Sequence, residues 1–185
     1  QDGAYGRFAV LYRTNAQSRI LEERFVAAGI PYRLVGGVNF YQRREIKDVL
    51  AYLKTVANAA DDLAVQRILN VPKRGIGAAT VSAVGSFAAD REISFFEALR
   101  EAPASGIAGR SSEKIQRFLN LIAVFRRESE KLPIADLIRL VLEKSGYQEA
   151  LKEEGDLEAQ ARMENIEELI SKAVDFERDL SDVSD

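Results

Sequence analysis

From Arg43 onward, apolar residues recur at three- and four-residue intervals, the pattern of helices with one buried face. Ile46, Val49, Leu50, Leu53 and Val56 share a face of a first long helix. Asp61 to Leu69 predicts a second, with Leu63, Ile68 and Leu69 near one face and two aspartates in the first turn, where the helix dipole favours them. Pro72 ends it. Ala79, Val81, Val84, Phe87 and Ala88 mark the next helix, and Ser94-Phe95-Phe96-Glu97 reads as a capping box opening another. Pro103 to Gly109 predicts a surface loop of small residues. Ile115, Phe118, Leu119, Ile122 and Phe125 define a further long helix. Pro133 starts the following one, which buries Ile134, Leu137, Ile138, Val141 and Leu142 and stops at Gly146. A last helix from about Leu157 carries Met163, Ile166, Leu169, Ile170, Ala173 and Val174 inward.

The first residues read differently. Phe8-Ala9-Val10-Leu11-Tyr12 is a continuous apolar run that predicts a buried strand, followed by Asn15 as a helix N-cap. Ile20, Leu21, Phe25 and Val26 then form a helical stripe closed by Ala28-Gly29 and Pro31, and Tyr32 to Val35 returns as a strand. Such a βαβ unit needs further strands to cover it, so the sheet is expected to lie mostly outside this chain; the missing initiator Met fits that expectation. Gly36-Gly37 separates the two regimes.

One loop carries candidate chemistry. Asn70-Val71-Pro72-Lys73-Arg74-Gly75-Ile76-Gly77-Ala78-Ala79-Thr80 joins two helices and places two glycines just before a helix N-terminus. Glycine allows close approach of a ligand, the uncapped N–H groups and helix dipole attract an anion, and Lys73 and Arg74 add positive charge. These parts suit a DNA phosphate. They equally suit an interhelical turn whose isoleucine plugs the core and whose basic pair is solvated, because short glycine motifs recur widely.

Composition narrows the chemistry. The 185 residues contain no cysteine and no histidine, which removes disulfides, thiol nucleophiles, the usual zinc ligands and the usual general base. No apolar run is long enough to span a bilayer, and a cytoplasmic location is expected. The net charge of −3 hides an asymmetry: residues 1–60 sum to +4, 61–127 to +3 and 128–185 to −10. The first two thirds could face an anionic polymer, the last third solvent or a basic partner. Arg43, Arg44 and Lys47 beside Phe40 and Tyr41 could form an aromatic-basic surface, though rings next to a glycine turn more often pack. Neighbouring acids such as Glu22-Glu23 and Glu153-Glu154 point apart on a helix and read as solvated faces.

Taken in order, Ala9 to Arg19 with its Arg13-Thr14-Asn15 core, Ile30-Pro31-Tyr32-Arg33 through Gly36-Gly37 to Phe40-Tyr41-Gln42-Arg43-Arg44-Glu45-Ile46-Lys47-Asp48, and Asn70 to Gly77 resemble the UvrD/PcrA/Rep family of superfamily I DNA helicases, its PcrA members in particular. The likeness extends through Lys144-Ser145-Gly146-Tyr147 and Glu158 to Asn165. It implies a mainly α fold: residues 1–37 as an incomplete piece of the second RecA-like motor domain, and residues 38–185 as the helical subdomain called 2B. It further implies duplex contacts from Gly75, Ile76, Gly77 and Thr80 with support from Lys73 and Arg74, and single-strand contacts from Arg13 and Asn15. Relatives carry a basic residue where this chain has Asn39. No Gly-x-x-x-x-Gly-Lys-[Ser/Thr] loop is present, so ATP and magnesium would belong to a parent 3′-to-5′ helicase of repair or replication and not to this piece. Its expected partners are DNA and the remaining helicase domains. The alternative is a protein-interaction and autoregulatory module that binds a basic partner through the acidic last third.

Overall fold

A computed structural model describes residues 5–12, 17–34 and 40–183, and these form a mainly α structure. The helices are α1 (Ser18–Ala27), α2 (Arg44–Ala57), α3 (Asp62–Leu69), α4 (Ala78–Arg91), α5 (Phe95–Ser105), α6 (Ser112–Ser129), α7 (Ile134–Ser145), α8 (Tyr147–Glu154) and α9 (Leu157–Val183).

Two apolar cores share α2. The C-terminal half of α2 supplies Tyr52 and Val56 to a core built with α3, α4, α5 and α6, where Ile68, Phe95, Leu99, Ile115, Phe118 and Phe125 are fully buried. Its N-terminal half supplies Ile46 and Val49 to a second core with α7, α8 and α9, around Ile138, Leu142, Ile166 and Ile170. Polar groups fix how the surrounding helices seat on α2. Buried Asp48 accepts from Arg67 Nε of α3 at 2.8 Å and from the Tyr147 hydroxyl of α8 at 2.8 Å. Glu45 accepts from Asn165 Nδ2 of α9 at 2.5 Å. A buried carboxylate is stable only when its lone pairs are met, so these contacts specify one arrangement of helices. Burial, and then the Asp48 charge, push the Tyr147 hydroxyl well above the usual phenol range.

Local signals read from the sequence reappear as geometry. Ser94 and Glu97 form both halves of the capping box. Gly146 ends α7 at φ +77°, a left-handed conformation that only glycine adopts without strain. The Gly29 turn closes α1, with Ile30 N–H donating to Phe25 O at 2.8 Å.

Other expectations are corrected. Among the described residues there is no β-strand: 8–12 and 32–34 are irregular, and Phe8 and Leu11 are 81% and 94% exposed. A strand exists through its ladder, and an apolar run with no neighbouring strand cannot form one. Val35, Asn15, Gly36, Gly37 and Asn39 lie outside the described residues. The stripe of α1 is only partly covered: Leu21 and Phe25 are half-buried, Ile20 and Val26 are exposed, and Ser18 and Glu22 are buried. Leu63 of α3 is 82% exposed because the buried face runs through Ala64, Val65, Ile68 and Leu69. The loop expected at 103–109 is mostly structured: α5 continues through Pro103 to Ser105, and Ala108 is buried. Proline is tolerated there because it costs only one hydrogen bond in the helix's final turn.

Phe40 packs into the second core, and Arg43 is buried as well. Arg43 Nη1 donates to Asn165 Oδ1 at 2.7 Å and Nη2 to Ser18 Oγ at 2.8 Å, joining α1 to α9. Burial lowers its pKa, an effect opposed by Glu45 and Glu22. The aromatic-basic surface is thus a packed junction: Tyr41 is half exposed, but the Lys172 ammonium lies 5.5 Å from its ring centre.

Candidate nucleic-acid interface

The turn between α3 and α4 is held from inside. Asn70 Oδ1 accepts from the Arg74 N–H at 2.7 Å and the Ile76 N–H at 3.4 Å, curling the backbone over its own side chain. Ile76, 2% exposed, plugs the first core. The Arg74 guanidinium turns inward. Its Nη1 donates to the carbonyls of Ile68, Leu69 and Val71 at 2.7, 3.1 and 3.2 Å, its Nη2 donates to the Tyr52 hydroxyl at 2.5 Å, and it lies 5.5 Å from the Phe118 ring centre. A cation on the last carbonyls of α3 satisfies groups that the helix cannot satisfy itself and complements its dipole.

With Ile76 and Arg74 turned in, the outer surface is left to Lys73, Gly75, Gly77, Ala78 and Ala79, all exposed. Gly75 sits at φ +71°, where a side chain is strained; a Cβ there would stand 2.8 Å from Lys114 Nζ, a flexible tip that can move aside, so it is the backbone conformation that calls for glycine. Gly77 differs. Its φ of −74° and ψ of 158° are open to any residue, and an added Cβ meets nothing within 4 Å. It is the N-cap of α4, where serine, asparagine or aspartate would serve the helix better. The N–H groups of Gly77, Ala78 and Ala79 have no acceptor among the described residues. A bare helix N-terminus under an unobstructed glycine can take an anion directly on the backbone.

A second helix start joins this one. Thr80 Oγ1 lies 3.2 Å from Ser111 Oγ, and Lys114 Nζ of α6 donates to Gly75 O at 2.8 Å. The turn Gly109–Ser111 thereby brings its Arg110 to the same end of the molecule, and neither Arg110 nor Lys73 has an acidic partner among the described residues. Nothing in the sequence places Lys114 and Ser111 beside this turn, since they lie more than thirty residues downstream. The available signal was a second basic helix start after a glycine-containing loop, Gly109-Arg110-Ser111-Ser112-Glu113-Lys114. Of the expected site residues, Lys73, Gly75, Gly77 and Thr80 stand together at the surface, Arg74 and Ile76 support them from beneath, and Arg13 and Asn15 lie outside the described residues.

A family model described as the UvrD-like helicase C-terminal domain matches residues 1–184. The chain belongs to that family. It is 47% identical over 173 residues to the ATP-dependent DNA helicase PcrA of Staphylococcus aureus and 44% identical over the same length to that of Staphylococcus epidermidis. These alignments cover 94% of this chain and 24% of each relative, so the chain spans about a quarter of the helicases it matches. No helix among the described residues is long and apolar enough to cross a membrane.

Proposed function

We propose that this chain is the part of an ATP-dependent 3′-to-5′ DNA helicase that grips the duplex ahead of the motor. In this reading residues 38–185 are a 2B-type subdomain and residues 1–37 are a piece of the second RecA-like motor domain. The exposed apolar residues Phe8, Leu11, Ile20 and Val26 then pack on the remaining strands of that motor. Duplex phosphate is taken by the N-terminus of α4, with Gly77 giving access and Lys73, Thr80, Lys114 and Arg110 around it. Arg13 and Asn15 contact the single strand. ATP and magnesium are bound and turned over elsewhere in the parent, a cytoplasmic enzyme of repair or replication, while the helical body swings about Gly36-Gly37.

The observation that supports the reading most is Gly77, a glycine the fold does not need, placed where a ligand would need it. All the contacts so described are to phosphate, so binding should be sequence-tolerant and sensitive to salt. The test is fluorescence anisotropy of the chain with a tailed duplex over a salt series. With about three phosphates neutralised, a fourfold rise in salt should weaken binding about 40-fold. Salt-independent affinity, or none at low salt, would count against the reading.

A further inference from the structure

We propose that the groove between α5 and α6 is a docking site for an acidic segment of a partner protein that presents a carboxylate beside a bulky apolar side chain. The groove encloses about 380 Å³ and is lined by Phe96 and Arg100 of α5 and by Gln116, Leu119, Ala123 and Arg126, among others, of α6. Two of the lining residues are arginines and none is acidic. On α5 the nearby carboxylates are engaged elsewhere, Glu97 in the capping box and Glu101 with Arg91. Arg100 is exposed and forms no ion pair or hydrogen bond among the described residues.

Arg126 is the more telling. Its guanidinium lies 5.1 Å from the Phe96 ring centre, and Nη2 donates to Thr55 O at 3.2 Å. Nε is buried and meets no acceptor among the described residues. That atom has no accessible surface, so a ligand in the groove meets the half-exposed remainder of the guanidinium and not Nε. The guanidinium beside the Phe96 ring is a planar, always charged donor of the kind that suits a carboxylate. Beside it, Phe96, Leu119 and Ala123 offer an apolar floor that a phosphodiester backbone cannot use and a leucine or phenylalanine side chain can. Along α6, the Arg126 end of the groove lies twelve residues, about 18 Å, from Lys114, whereas Gln116 at its other end is two residues from it. A protein segment therefore fits this groove better than nucleic acid.

The test uses fluorescein-labelled short peptides with Glu-Phe-Asp or Asp-Leu-Glu centres, and Lys-Phe-Lys controls, titrated into the 185-residue chain. The acidic set should bind and the controls should not. Arg100→Glu should weaken acidic-peptide binding at least about tenfold. Ala123→Phe, which places a ring in the groove from an exposed position, should do the same, with both variants melting like the parent. Acidic peptides that bind no better than the controls, or that bind both variants unchanged, would overturn the proposal. So would a duplex that competes with the peptides and loses affinity in Arg100→Glu, because the groove would then belong to the DNA face.

Discussion

Replacing Arg74 with methionine keeps an unbranched stem but removes the guanidinium that lies over Phe118 and donates to carbonyls at and just past the end of α3 and to the Tyr52 hydroxyl. A hydrogen bond from a charged donor contributes about 1.5–3 kcal/mol. The site is only partly buried, so water replaces some of what is lost and the lower bound applies to the set at the carbonyls. The bond to Tyr52 reaches a buried ring and adds about 1 kcal/mol. Loss of the cation at a helix C-terminus and over an aromatic face adds about another 0.5–1 kcal/mol. The sum is near 3 kcal/mol, which for a chain of this size lowers Tm by about 6–12 °C. Urea denaturation followed by circular dichroism should show a lower midpoint at unchanged slope. If Arg74→Met instead melts like the parent while losing duplex affinity, then Arg74 is a DNA contact, and its role in holding the turn is wrong.

Gly75→Ala should destabilise the chain by about 1–2 kcal/mol, since it forces a left-handed conformation on a residue with a Cβ; denaturation would measure it. Tyr147→Phe leaves buried Asp48 with Arg67 alone and should cost about 1–2 kcal/mol, read from the same curves. Lys114→Gln should leave Tm within a degree or two of the parent yet lower the salt slope of duplex binding by about 1, as expected for one lost phosphate contact.

What could be read in the sequence was what local chemistry decides. The capping box at Ser94, the left-handed Gly146 and the stripes of α2, α6 and, apart from the exposed Ile134, α7 depend on residues within one or two turns of each other, so their pattern is sufficient. What could not be read depends on neighbours distant in sequence. Phe8 to Tyr12 has the composition of a strand, but a strand is made by its partner. Arg74 reads as a solvent-facing cation beside Lys73 because nothing in the sequence reveals that its guanidinium turns back onto the Tyr52 hydroxyl. Lys114 and Ser111 reach the turn only because α5 and α6 pack as they do. The short α8 leaves no period in the sequence because its eight residues bury only Tyr147 and Leu151.

The central claim is that Gly77 is glycine for the sake of a phosphate, and Gly77→Asp tests it most directly. The backbone at this N-cap already suits aspartate, and an added Cβ meets nothing, so the variant should be as stable as the parent or more stable by about 0.5–1 kcal/mol. Its carboxylate would occupy the helix N-terminus and repel DNA. The account predicts a Tm that holds or rises together with duplex binding lost in anisotropy at low salt. Duplex affinity equal to that of the parent, in a variant that is fully folded, would contradict it.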